Sequence, residues 1–292
     1  MVGASGRTGP GTAVGADICA VVLAAGVGQR LRPLTAALPK ALCPVGNVSL
    51  LDAALARAAA LGLRGPDRVA VNACYLADQV VAQVGPRAWL SVEPGDPLGT
   101  SGGLANLKEW IAGRAVLVGN ADAYLAGAEV SALLDGWDHE TVRLLGVPAG
   151  AGAGEFGRHR FAGLSLLPWS FVAPLLAVPG DLVRTVWRPA EAAGRLRVVE
   201  YPGLYLDTGT PDDYLAANLH AAASSPRGIL LGAGSTVTGP LDRAVIGAGA
   251  VVLGAVTRGV VWPGGYVGPE EHLVDAIRVG PDLTVPARPT PH

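Results

Sequence analysis

Residues 20–40 constrain the chain most: Ala20-Val-Val-Leu23-Ala24-Ala25-Gly26-Val-Gly28-Gln29-Arg30-Leu-Arg32-Pro33-Leu-Thr35, running on to Pro39-Lys40. The preceding run, Ile18 to Leu23, is short, rich in β-branched residues and uncharged on both alternating faces, which suits a buried parallel strand. It stops at glycine. Gly26 and Gly28 leave backbone N–H groups uncovered, and Arg30 and Lys40 follow as cations, so the stretch has the make-up of a loop that grips phosphate. A dinucleotide loop would place glycine three residues after Gly28, but Leu31 stands there and Pro33 interrupts the helix that should begin. A Walker loop needs Gly-Lys-Ser/Thr, which does not occur. An ordinary turn remains the plain alternative in a chain with 41 glycines.

Lysine usage sharpens the point. The chain has only Lys40 and Lys108 against twenty arginines, so a lysine inside a candidate phosphate motif stands out. The net charge of −2 argues against nucleic acid or anionic lipid as partner, and local cations must do the phosphate work. Half of the 292 residues are apolar and the mean hydropathy is +0.38, yet Gly, Pro or charge interrupts every apolar run before a membrane span is reached. Residues 1–16 lack the apolar core of a signal peptide and are expected to be a disordered extension. Cys19, Cys43 and Cys74 have no metal spacing and fit reduced thiols, which points to the cytoplasm.

Read in order, the chain alternates. Ser49 caps a helix that ends near Gly62. A strand at 68–71, a helix at 76–84 and a strand at 88–92 follow, then a glycine-containing turn at 93–104, a helix to Ile111 and a strand at 116–118. Strands are expected at 141–147, 160–167 and 195–201, and helices at 169–177 and 182–193. A further helix starts at Pro211. This predicts an α/β fold, a mostly parallel sheet with helices on both faces, over residues 17–222. Ligands in such sheets sit beyond the carboxyl ends of the strands. Past a linker at 221–227 the texture changes. Leu231, Ile246 and Val261 are fifteen residues apart, and each is followed six later by Val237, Val252 and Val267, with Leu273 six further on. Aliphatic residues at every sixth position suit the stacked rungs of a β-solenoid over 223–292; a loose Gly/Val-rich tail is the alternative.

The string Leu-Ala-Ala-Gly-x-Gly-x-Arg-Leu-x-Pro-Leu-Thr-x-x-x-Pro-Lys closely resembles the signature of the sugar-1-phosphate nucleotidyltransferases, and resemblance extends in order over residues 18–222. It implies the Rossmann-like fold of that family with a short C-terminal left-handed β-helix. It also implies transfer of a nucleotidyl group from an NTP to a sugar 1-phosphate, with Mg²⁺ as cofactor. Such chemistry brings two anions together, so metal and cationic side chains must neutralise charge. By resemblance, Arg30 and Lys40 are the catalytic cations. Leu23, Ala24, Ala25, Gly26, Gly28 and Gln29 hold the nucleotide, together with Gly99 and Thr100 of Leu98-Gly-Thr-Ser-Gly102. Asp122, in Gly119-Asn-Ala-Asp, and Asp207, in Tyr205-Leu-Asp-Thr-Gly-Thr-Pro, are implied as catalytic metal ligands; each alone reads equally as a turn or cap residue. Glu93 is placed to accept from the N1 and N2 donors of guanine or to cap the next turn. Gly163, in Phe161-Ala-Gly-Leu, matches a glycine that lies along the sugar, or else belongs to a core strand.

The sequence departs from the family in places. Gln29 stands where threonine is common, and Ala121 replaces a glycine. The Glu-Lys-Pro element that usually supplies the sugar-phosphate cation is absent, and Arg158 or Arg160 is expected to replace it or to be a solvated hairpin residue. The shortened link resembles compact uridylyltransferases of amino-sugar salvage. The turn at Leu98 resembles guanylyltransferases, so guanylyl transfer to mannose 1-phosphate or a related sugar is the leading expectation, with uridylyl or thymidylyl transfer next. A non-catalytic subunit that binds NDP-sugar is the reading from another class, and the architecture admits a homo-oligomer.

Overall fold

The computed structural model describes residues 18–150, 152 and 154–288; the extension expected at 1–16 lies outside the described residues. Besides a short hairpin at Pro44–Val45 and Val48–Ser49, the chain forms β1 (Ile18–Leu23), β2 (Val69–Ala73), β3 (Trp89–Val92), β4 (Ala115–Asn120) and β5 (Ala123–Ala126). Then come β6 (Val142–Pro148), β7 (His159–Leu167), β8 (Leu196–Glu200) and β9 (Leu204–Asp207). Seven of these make the central sheet, in the order β8-β6-β7-β4-β1-β2-β3. All its pairs are parallel except those of β7, which runs antiparallel to both β4 and β6.

The alternation along β1 explains the layers. Ala20 and Val22 pack with Leu51, Ala54 and Ala58 of α1 (Leu50–Ala60) and Val80 and Val84 of α2 (Ala77–Val84). Cys19 and Val21 face the other way, onto Leu104 of α3 (Gly99–Ala105) and Ile111 of α4 (Lys108–Ile111). Both faces of the strand are therefore buried, as its uncharged sequence requires. Ser49 caps α1, its hydroxyl accepting from the Asp52 N–H at 3.0 Å. Two expected helices come out shorter or altered. The one expected at 169–177 is α5 (Trp169–Val172), because Pro174 cannot continue it. The one expected at 182–193 is a π turn at Val183–Trp187 leading into α6 (Arg188–Ala192).

Periodicity did not reveal one element that matters for the site. β5 and β9 form a separate antiparallel ribbon in which Asp207 pairs with Ala123, so the register brings Asp207 beside Asp122. β9 then turns into α7 (Pro211–Ala222), capped by Thr210, whose hydroxyl accepts from the Asp213 N–H.

Beyond α7 the fifteen-residue repeat appears as parallel register. Leu231 pairs with Ile246 and Ile246 with Val261, along Ile229–Leu231, Leu241–Ile246 and Ala255–Val261. Val237, Val252 and Val267 pair in a second ladder. The next step lengthens to seventeen residues, with Val256 opposite Leu273, and Leu283–Pro286 closes that edge in the antiparallel sense. Leu231, expected inside, is 57% exposed because no rung precedes its own. The strands pack onto α7: Trp262 donates from Nε1 to the Tyr214 hydroxyl at 3.0 Å. One buried cluster joins Val245, Val260 and Trp262 to Tyr214, and also to Leu31 and Leu34 of the glycine loop.

Candidate active site

A cleft of about 190 Å³ opens where β1, β2 and β4 end. Leu23, Ala24, Ala25 and Gly26 line one wall; Gly99 and Thr100 line another; Lys40 and Asp122 lie at the floor. Gly28 shapes the loop. Its φ is +67°, and a Cβ there would lie 3.0 Å from Lys40 Cβ and from Thr35 Cγ2, so glycine is needed for both the turn and the close approach. Thr35, fully buried, donates from Oγ1 to the Gly28 carbonyl at 2.8 Å. Pro39 then starts a tight 3₁₀ turn at Lys40–Leu42, which aims the lysine inward.

The charged centre assembles from three segments distant in sequence, the 20–40 loop and the segments of Asp122 and Asp207. Lys40 Nζ donates to Asp122 Oδ2 at 2.5 Å and to Asp207 Oδ1 at 3.4 Å, and Arg30 Nη2 donates to Asp207 Oδ2 at 3.1 Å. The lysine side chain is only 9% exposed, while those of Asp122 and Asp207 are 34% and 44% exposed. Thr208 fixes the ribbon further, donating from Oγ1 to the Asp122 carbonyl at 2.9 Å. Beside them, burial first and then the charges of Asp207 and Asp122 push the Tyr205 phenol well above its ordinary value; Arg160 acts in the opposite sense. Arg160 is thus within electrostatic reach of the ribbon. Arg158 and Arg160 are both exposed.

Other expected residues fall elsewhere. Glu93 does not line the cleft: it is 3% exposed, its Oε1 accepts from Asn72 Nδ2 at 2.7 Å and its Oε2 from the Leu98 N–H at 2.8 Å. It caps the turn, the second of its two readings. Gln29 is exposed and outside the lining, although it opens the 3₁₀ turn after Gly28. Gly163 is buried at the irregularity between β6 and β7, with φ +80° and room for no Cβ, since Ala123 Cβ would lie 2.4 Å away. It lets β7 pass beneath the β5–β9 ribbon. Thr100 lines the cleft while its Oγ1 accepts from the Leu182 N–H at 2.9 Å.

Asn72 was not singled out from sequence. It is 1% exposed, and its Oδ1 accepts from the Ala24 N–H at 2.8 Å, so it ties the glycine loop to Glu93 and the turn at Leu98. The available signal was an asparagine inside the apolar strand Val69-Ala-Val-Asn-Ala73, where an amide needs buried partners.

Residues 20–196 match the MobA-like NTP transferase domain. An N-acetylmuramate α-1-phosphate uridylyltransferase of Caulobacter vibrioides is 30% identical over 237 residues, 70% of this chain and 96% of the relative. A mannose-1-phosphate guanylyltransferase of Mycobacterium tuberculosis is 36% identical over 124 residues, 41% of this chain and 33% of the relative. Among solved structures, one described as a glucose-1-phosphate thymidylyltransferase from Bacillus anthracis superposes with a TM-score of 0.59. It is 16% identical, over 70% of this chain and 95% of the other, a likeness of fold.

Proposed function

The chain belongs to the MobA-like NTP transferase family and is a sugar-phosphate nucleotidyltransferase; on that premise we propose that it makes a UDP-sugar from UTP and a sugar 1-phosphate, with Mg²⁺. The observation that carries the reaction class is the convergence of Arg30, Lys40, Asp122 and Asp207, from three segments, at the strand ends: Lys40 and Asp122 line the cleft, and Asp207 and Arg30 join them through ion pairs at its edge. A sugar phosphate oxygen attacks the α-phosphorus in line and pyrophosphate leaves, so the site must offset charge between two anions. Arg30 and Lys40 supply fixed positive charge, and the loop at Gly26 brings backbone to the triphosphate. A non-catalytic subunit would be expected to lack one of these four residues. All four are in place.

The donor set suits Mg²⁺, which takes one or two carboxylates and completes its shell with phosphate oxygens and water. Asp122 and Asp207 converge on the Lys40 ammonium, a cation standing where both carboxylates can be balanced. When bound, the metal adds charge neutralisation at the phosphates. Of the two arginines, Arg160 is the one whose charge acts on Tyr205 of the ribbon, which favours it as the cation for the sugar phosphate.

Uridine is favoured by two observations. The relative matched over nearly its whole length is named a uridylyltransferase, and Glu93, which would have read guanine, is turned into the protein. Guanylyl transfer to mannose 1-phosphate is the second reading, supported by the turn at Leu98 and the shorter match. Pyrophosphate release from UTP, GTP, dTTP, CTP and ATP against N-acetylmuramate, mannose and glucose 1-phosphates tests both. Release with UTP alone supports the proposal, and release with GTP alone replaces it with the second reading.

A further inference from the structure

A buried pair of side chains joins the two walls of the cleft. Asn72, the penultimate residue of β2, is 1% exposed, and Glu93, directly after β3, is 3% exposed. Asn72 Oδ1 accepts from the N–H of Ala24, on the glycine wall, at 2.8 Å, and its Nδ2 donates to Glu93 Oε1 at 2.7 Å. Glu93 Oε2 accepts at 2.8 Å from the N–H of Leu98, directly before Gly99 and Thr100 of the other wall. A line of three hydrogen bonds thus runs from wall to wall.

The end groups fix the direction of this line. A backbone N–H only donates, so Ala24 takes the amide oxygen of Asn72, which turns the amide N–H towards Glu93, and Leu98 takes the second carboxyl oxygen. A carboxylate accepts at both oxygens and a carboxamide at one, so glutamate suits the place and glutamine does not. Gly103 makes room for the pair: a Cβ there would lie 2.6 Å from Asn72 Nδ2 and 2.6 Å from Glu93 Oε1. Strand pairing brings the two residues together, since Ala73 lies opposite Val92 and the Glu93 N–H donates to the Ala73 carbonyl at 2.8 Å.

Each wall also has its own mount. The Tyr75 hydroxyl donates to the Thr35 carbonyl at 3.0 Å and Gln79 Nε2 to the Ala37 carbonyl at 3.1 Å, which ties the far arm of the glycine loop to the segment after Asn72. Behind the other wall, the Gly180 N–H donates to the Leu98 carbonyl at 3.0 Å and the Ser101 N–H to the Gly180 carbonyl at 3.2 Å. A buried network with every member satisfied rigidifies what it joins. We propose that Asn72 and Glu93 are positioning residues that set the gap between the two walls and thereby the fit of the NTP. The inference rests on the transferase reading and assigns Glu93 no contact with either substrate.

Glu93→Gln keeps the side chain's size but sets an N–H against an N–H, at Asn72 or at Leu98, and so forces the walls apart. With UTP and GTP as probes against N-acetylmuramate and mannose 1-phosphates, it should raise the NTP KM about tenfold, equivalent to about 1.4 kcal/mol, and leave the sugar-phosphate KM within about twofold. Calorimetry with each nucleotide alone should show the same weakening. In the double variant Asn72→Asp, Glu93→Gln every donor regains an acceptor: the new carboxylate accepts from Ala24 and from the new carboxamide, whose oxygen accepts from Leu98. The negative charge then sits nearer the triphosphate, so recovery is partial, and the double variant should bind nucleotide at least about fivefold more tightly than Glu93→Gln. Gly103→Ala, which crowds both partners and removes no polar atom, should weaken nucleotide in the same way and stands in should Glu93→Gln not fold. A lowered melting temperature with nucleotide affinity within about twofold of the parent would make the pair a structural brace and overturn the proposal, as would a double variant that binds no better than Glu93→Gln. A parent that releases pyrophosphate with none of these substrates overturns the transferase reading, and calorimetry still decides on the pair; a parent that binds neither nucleotide overturns both.

Discussion

Lys40→Ala should have two effects of opposite sign. The ammonium lies 2.5 Å from Asp122 and 3.4 Å from Asp207, so it competes for the carboxylates that a divalent cation would use. A charge-assisted hydrogen bond contributes about 1.5–3 kcal/mol, and water around two carboxylates exposed by 34% and 44% moves the figure to the low end. A competing contact of about 1.4 kcal/mol corresponds to a factor of ten in affinity. In the absence of NTP, Mg²⁺ should therefore bind Lys40→Ala about tenfold more tightly than the parent, as measured by calorimetry. Turnover should move the other way. A preorganised cation acting on developing phosphate charge is worth about 10²–10³ in kcat, so pyrophosphate release should fall by that factor. Metal affinity that is unchanged or weaker in Lys40→Ala would refute the shared-carboxylate argument, whatever happens to the rate.

Three further outcomes are expected from the geometry. Asp122→Asn and Asp207→Asn should each lower kcat by at least about a hundredfold, with a much smaller change in NTP KM, read by steady-state pyrophosphate release. Arg160→Ala should raise the sugar-phosphate KM about tenfold while Arg158→Ala changes it little; equal effects would remove the assignment of Arg160. Burial pushes the Cys19 thiol from 9.0 up to about 11 and the Cys43 thiol up to about 12. The folded state thus keeps protons that the unfolded state loses above pH 9. Stability should fall there by up to about 2.7 kcal/mol per pH unit, and urea midpoints of a Cys19→Ala, Cys43→Ala double variant should fall less steeply.

How legible was this in the sequence? The strand and loop at residues 18–40 were legible because local composition alone constrains them: an uncharged run, then Gly26 and Gly28, then the cations Arg30, Arg32 and Lys40. The sheet's mostly parallel character followed from alternation. The convergence of the site was not legible at the same level, since it depends on register. Asp207 meets Asp122 because β9 pairs antiparallel with β5, and a one-residue slip there would turn the aspartate to the other face. Glu93 illustrates the converse. Its position before the Leu98 turn fitted two roles, and its hydrogen bonds, accepted from the Leu98 N–H and from Asn72 Nδ2, decide for the cap.

The C-terminal strands bear on the site more directly than an appended scaffold would. Leu31 and Leu34 follow Arg30 and are 0% and 2% exposed. Their buried cluster also contains Leu206, next to Asp207, and Trp262 from the repeat region. The two segments that carry Arg30 and Asp207 therefore rest on one core, and part of that core comes from residues 245–287. Three hydrogen bonds reinforce the contact: Trp262 to Tyr214, Asn47 to the Ile246 carbonyl at 3.0 Å, and the Arg288 N–H to Asp212 at 2.8 Å. Removing the strands would uncover Tyr214 and Leu215, both fully buried, on the helix that follows the Asp207 motif. Packed interiors transmit such a loss to their neighbours rather than absorb it. The spacing of Arg30 from Asp207, set across 177 residues of chain, thus depends on a repeat that contributes no side chain to the cleft.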